Sequence, residues 1–183
     1  MTKNRLETFT DGVLAIVLTI LVLELHLPNT DHSLNALIAL APQFFAYIFS
    51  FILISTMWVN HHYLFLKVAS ITNITLWLNI NLLFWSSILP ATTAWVGSDI
   101  NAHVPATLYA VNIVCYNVSF GLLREHISRH ANLIKSRTSL EWLSLAINLL
   151  SLAITLWWPP FVFIGLISNV LLWTFPHFIT HEK

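Results

Sequence analysis

Six stretches of this chain stay apolar long enough to cross a bilayer, and polar or proline-marked breaks separate them. A helix needs about 20 predominantly apolar residues to span the hydrocarbon layer. The stretches run over residues 9–27, 34–62, 72–96, 104–123, 140–158 and 160–178. Pro28-Asn29 closes the first. The second is longer than a span requires, so it is expected to tilt or to project from the membrane. Pro159-Pro160 sets a tight connection between the last two, because proline cannot continue a helix but can open one. The pattern predicts an all-α protein with a single six-helix domain over residues 1–183.

Composition makes this an integral membrane protein. Of 183 residues, 57% are hydrophobic and 9% are charged, where a soluble domain carries about 25% charged residues. Charge placement then tests the count of six. With six spans, the N-terminus, the second and fourth connections and the C-terminus share one side of the membrane. Lys3, Arg5, Lys67, Arg124, Arg129, Lys135, Arg137 and Lys183 all fall on that side, and they are all of the basic residues. The other side holds Glu24, Asp31 and Asp99 and nothing basic. Basic residues mark the cytoplasmic face, so both termini are expected in the cytoplasm. Five or seven spans would scatter the basic residues over both faces. Residues 132–137 read as a cytoplasmic loop. Eight Trp and four Tyr suit a protein with many helix ends at the interface. The lone Cys115 sits in an apolar run and reads as a packing residue. The first apolar run is too long for a cleavable signal, and no small-residue cleavage site follows Leu23, so the first helix is expected to stay. No repeat relates residues 1–92 to 93–183, which weighs against inverted-repeat transporters.

Candidate chemistry is sparse. No Walker A, HExxH, GxSxG or TVGYG-type sequence is present, which argues against an enzyme and against a carbonyl filter. No cofactor, resident metal or nucleic-acid partner is expected. In REHISRH, His126 and His130 stand four apart on one helical face, a spacing that suits a zinc pair. No third ligand is fixed, and the plainer reading is an interfacial basic cluster beside Arg124 and Arg129. The first helix is more informative. Asp11 falls at the cytoplasmic edge of the hydrocarbon, where an ionised carboxylate needs a partner or serves as a helix cap. Arg5 is about 1.7 helical turns earlier and reaches it only by stretching. The far end of the second span, WVNHHYLF, offers Trp58, His61 and His62; either histidine could tie Asp11 and Arg5 to that helix, or the cluster is an interfacial belt. Gly12, Ile16, Thr19 and Leu23 form one stripe at steps of four, three and four. A mid-membrane Thr is commonly satisfied by its own helix carbonyl. The first helix is apolar all round, so periodicity leaves open whether this stripe packs, faces lipid or lines a pore.

The segment Arg5-Leu6-Glu7-Thr8-Phe9-Thr10-Asp11 resembles the RxxxFSD signature of the transmembrane protein 175 family of lysosomal potassium channels, in its prokaryotic branch. Arg5, Phe9 and Asp11 match, and Thr10 keeps the hydroxyl of the usual Ser. Gly12 to Ile16, Leu21 to Glu24 and the Trp58/His61/His62 cluster are similar as well. The resemblance implies a homotetramer with six transmembrane helices per subunit in a prokaryotic plasma membrane, the animal members fusing two such units. It implies a central pore lined by four copies of the first helix. Ile16 would be the main constriction, Thr19 a hydroxyl layer and Leu23 a second apolar ring, with Ile20 a contributor. Arg5, Phe9, Asp11, Trp58, His61 and His62 would form the structural network around it. The permeant ion would be potassium, passing without any cofactor. The nine histidines and Asp11 also suit a proton-conducting or proton-coupled protein.

Overall fold

The computed structural model describes residues 2–68, 70–130 and 138–174. The expected loop 132–137, with Lys135 and Arg137, and the C-terminal Lys183 lie outside the described residues. Within them the chain forms seven helices and no strand: α1 (Lys3–Leu23), α2 (Leu34–Ala39), α3 (Ala41–Leu66), α4 (Asn73–Ser98), α5 (His103–His130), α6 (Thr138–Thr155) and α7 (Phe161–Thr174). By length and composition, α1, α3, α4 and α5 are long and apolar enough to cross a membrane, while α6 and α7 are shorter apolar helices.

The boundaries differ from the apolar pattern where local chemistry intervenes. The first helix ends at Leu23, before the expected Leu27. Pro28 disfavours a helical residue before it, and His26 Nδ1 lies 2.8 Å from Glu24 O, beyond the last turn. The stretch expected as one helix over 34–62 is two. The short α2 opens on Ser33, whose hydroxyl accepts from Ala36 N at 3.2 Å, and the chain breaks at Leu40 before Pro42 in the first turn of α3. Proline is accommodated there because its missing N–H would be unsatisfied anyway. The fourth stretch extends past residue 123 to His130, so REHISRH is helical. Thr72 caps α4 by accepting from Thr75 N at 3.1 Å.

The packing order follows the chain. α1 lies against α3 and α4, α4 against α5, α5 against α6, and α6 against α7, which returns to α3. An apolar core runs through this bundle, with Leu6, Leu14, Ile54, Leu82, Leu89, Tyr109, Leu123 and Leu166 all nearly inaccessible. Polar seams interrupt it, and each is internally hydrogen-bonded, as hydrocarbon surroundings demand. Ser50 of α3 meets Thr93 Oγ1 of α4 at 2.8 Å and Tyr109 OH of α5 at 2.6 Å. Ser144 of α6 gathers Asn117 of α5 with Asn169 and Trp173 of α7. Arg124 of α5 pairs with Glu141 of α6 at 3.3 Å and lies over the rings of Phe120 and Trp173.

Pro90 sits inside α4. Proline removes one ladder bond and clashes with the preceding turn. The Asn112 amide of α5 enters at this place. Oriented to suit its neighbours, it donates to Trp85 O at 3.0 Å and accepts from Leu89 N at 3.2 Å and from Thr92 Oγ1 at 3.1 Å. A side chain of α5 thus bonds the α4 backbone in the turn just before Pro90.

Candidate functional site

α1 has two faces with opposite fates. Leu6, Thr10, Leu14, Val17 and Leu21 form its buried stripe, packed on α3 and α4. The stripe of Gly12, Ile16, Thr19 and Leu23 points away from the subunit. Ile16 is 59% exposed, Ile20 41% and Leu23 74%. A methyl group added at Gly12 would touch nothing. Thr19 Oγ1 donates to Ile16 O at 2.7 Å, one turn back, so its hydroxyl is satisfied while its oxygen stays available on the open face.

At the N-terminal end two separate links hold α1 to the bundle. The first is on the exposed side: Trp58 Nε1 of α3 donates to Asp11 Oδ1 at 2.8 Å. The second is buried. Asn79 Nδ2 of α4 donates to Thr10 Oγ1 at 2.8 Å, and Asn79 Oδ1 lies 2.8 Å from His61 Nε2 of α3. The His61 ring stacks on Phe65 with centroids 4.2 Å apart. Thr10 hands its own proton to Leu6 O at 2.9 Å, which frees its lone pairs for Asn79. Three helices are thus joined through one amide.

This arrangement corrects one expectation. The contact to Asp11 is made by Trp58 and not by His61 or His62. Adjacent residues on a helix point about 100° apart, so Thr10 faces the core while Asp11 faces out. His61 turns inward with Thr10. His62 stays on the exposed surface beside the Trp58 ring. Arg5 and Phe9 are also exposed, and Arg5 has no partner among the described residues. Asn79 was not singled out from the sequence; an isolated Asn in an apolar helix carries no signal of where it points. At the far end of α1, the backbone N–H and then the hydroxyl of Ser33 hold the exposed Asp31 carboxyl below its usual range. Asp31 therefore keeps its charge to lower pH than a free carboxylate.

The REHISRH histidines tie α5 to the start of α4 and to its own preceding turn. His126 Nε2 lies 3.0 Å from Thr72 Oγ1, and His130 Nδ1 lies 2.9 Å from His126 O. No group of three metal-ligating side chains occurs among the described residues.

Comparison with known proteins gives these features a context. The profile of the family described as endosomal/lysosomal potassium channel TMEM175 matches residues 5–90, from Arg5 through Pro90. A Chryseobacterium protein named a potassium channel is 38% identical over 184 residues, covering 96% of this chain and 94% of its own. The mouse endosomal/lysosomal proton channel TMEM175 is 38% identical over 91 residues, 44% of this chain and 18% of the mouse protein. The crystal structure of a lysosomal potassium-selective channel TMEM175 homolog from Chamaesiphon minutus superposes with a TM-score of 0.69 at 27% identity, covering 93% of this chain and 97% of that one. The likeness runs nearly end to end in both sequence and fold, so the chain belongs to the TMEM175 family, in its prokaryotic branch, and is a multi-pass membrane ion channel and not an enzyme.

Proposed function

We propose that four copies of this chain form a potassium-preferring cation channel whose pore is lined by α1. The observation that carries this reading is the open stripe of Ile16, Thr19 and Leu23, opposite a fully packed stripe on the same helix. Its cytoplasmic rim distinguishes it from an ordinary lipid-facing stripe. Asp11 there is an exposed carboxylate held by Trp58, and such a group suits a water-filled entrance better than lipid tails. The names of the Chryseobacterium and Chamaesiphon relatives supply the ion.

In this reading the six helices α1 and α3 to α7 each cross the membrane, and α2, at six residues, does not. The whole chain is one channel domain. Lys3, Arg5, Lys67, Arg124 and Arg129 stand at the N-terminal end of α1 and the C-terminal ends of α3 and α5, and this basic excess supports a reading in which both termini face the cytoplasm of a prokaryotic cell. Bilayer lipid and three further copies are the partners, and the permeant potassium ion needs no cofactor. Ile16 is the main constriction, Thr19 a ring of hydroxyl oxygens, Leu23 an outer apolar ring and Ile20 a contributor. Apolar rings gate by dewetting. They offer no oxygen cage, so selectivity comes from width and from partial dehydration, which potassium tolerates better than sodium. Arg5, Phe9, Asp11, Trp58, His61 and His62 hold the lining in place. Glu24, Asp31 and Asp99 concentrate cations at the outer mouth within a Debye length of roughly 8–10 Å.

Reconstituted protein under opposed potassium and sodium gradients tests the reading. A reversal potential displaced toward potassium is expected, and absence of cation flux would refute it. Ile16→Asn should raise conductance and weaken selectivity by wetting the constriction. If neither changes, α1 is not the gate.

A second reading is proton conduction, favoured by the name of the mouse relative, which matches across 91 residues. Current under a pure pH gradient without potassium is its signature, and silence under that gradient removes it.

A further inference from the structure

Away from α1, the helices α3, α5 and α7 line a half-open pocket with about 30 Å³ of room for water-sized occupants. Part of its wall is apolar. The rest carries Thr56, Asn60, Tyr116, Asn117 and Asn169, five polar side chains within an apolar bundle. Asn60 commits its amide nitrogen to Thr56 O at 2.8 Å. Asn169 commits its nitrogen to Ser144, at 2.8 Å from Oγ and 3.4 Å from O. Neither amide oxygen has a partner among the described residues. The Tyr116 hydroxyl has only a stretched bond of 3.5 Å to Leu53 O, at the limit of what counts as one.

Ser144 fixes the remaining member. Its Oγ is surrounded by three nitrogens: Asn117 Nδ2 at 2.8 Å, Asn169 Nδ2 at 2.8 Å and Trp173 Nε1 at 3.0 Å. A hydroxyl has two lone pairs and one proton, so it cannot serve three donors. Tryptophan can only donate, and the Asn169 nitrogen also reaches Ser144 O. The Asn117 amide is therefore the one turned round, with its oxygen accepting the Ser144 proton and its nitrogen freed. Amide orientation is decided by such a network and not by shape. Two acceptors, on Asn60 and Asn169, and two donors, on Asn117 and Tyr116, then border one small space.

We propose that this space binds an ordered water in each subunit, donating to Asn60 and Asn169 and accepting from Asn117 and Tyr116. A buried water makes about 3 hydrogen bonds and needs at least about 10–15 Å³ of such room, so the cavity takes one water or two. The water joins α3, which carries Trp58 and His61, to α5 and α7, and so couples the helix bracing α1 to the outer part of the bundle. The site is independent of the pore reading.

Crystals of the full chain, with and without xenon pressure, test it, because apolar dry cavities take up xenon and hydrated polar ones do not. Without xenon, a water peak within hydrogen-bond reach of Asn60 and Asn117 is expected, and under pressure no xenon should replace it. Asn60→Leu should lose the peak and Ser144→Thr, which keeps the hydroxyl, should retain it. If Asn60→Leu does not fold, Tyr116→Phe serves the same purpose, with the peak weakened or displaced. Xenon in the unsubstituted cavity, or no water peak there, overturns the proposal.

Discussion

Thr10 and Asp11 are neighbours in sequence and serve different partners. Thr10 Oγ1 accepts from the buried Asn79, while Asp11 accepts from the exposed Trp58. Thr10→Val should therefore leave the Asn79 amide unsatisfied inside the bundle, a loss of about 1–3 kcal/mol. Thr10→Ser, which restores the hydroxyl, should cost far less. Trp58→Phe removes only a partly solvated bond and should cost about 1 kcal/mol. Thermal unfolding of the purified protein in detergent would rank the three, and Trp58→Phe proving the most damaging would contradict this account. Asp11, the charged member of the second pair, was legible beforehand, since a carboxylate near the hydrocarbon edge must be partnered. Its partner was not. Trp58, His61 and His62 crowd one helix end, and only the azimuth of α3 decides which of them meets α1. Asn79 was invisible for the same reason.

At the scale of the helix, hydropathy marked where each element lies, and proline chemistry marked where the pattern misleads. The stretch over 34–62 looked continuous because α2 and α3 are both apolar; Pro42 is what divides them. Pro90 left no mark on the predicted span, because the residues around it stay apolar; Asn112 of another helix bonds the α4 backbone in the turn before it. Asn112→Leu should remove the amide's bonds to Trp85 O, Leu89 N and Thr92 Oγ1 and destabilise the fold by about 1–3 kcal/mol. Because the two residues act at one joint, Pro90→Ala and Asn112→Leu should be non-additive in a double-mutant cycle, and strict additivity of their unfolding free energies would show that the joint is not shared. The crossing of α6 and α7 is a second place where shape governs. A methyl group at Gly165 would land within the Ser151 side chain. Gly165→Ala should cost about 1–3 kcal/mol by overpacking, and adding Ser151→Gly should recover part of that loss. Failure of the second change to help would place the strain elsewhere.

For the whole molecule, the sequence was informative about depth and uninformative about rotation. Basic residues at alternate connections indicated which helix ends share a side, but they carry no information on how each helix is turned. α1, being apolar around its circumference, gave no hint that residues 6, 10, 14, 17 and 21 would be the packed stripe. The family signature at Arg5 to Asp11 filled that gap by likeness, not by physics. The proposed tetramer has a direct measurement. Native mass in detergent should give four subunits, and a monomer under conditions that preserve the fold would remove the axial pore.

The division of α1 into a packed and an open stripe has a genetic consequence. The subunit's folding rests on one stripe, and its proposed conduction on the other. A chain altered at Ile16 or Leu23 should therefore pass the cell's quality control, reach the membrane at normal abundance and join unaltered chains there. Such alleles should be dominant: co-expressed with the normal copy, they would impose their conductance on mixed assemblies. Alleles altered at Leu14 or Val17 should be recessive, because their product fails before it meets a partner.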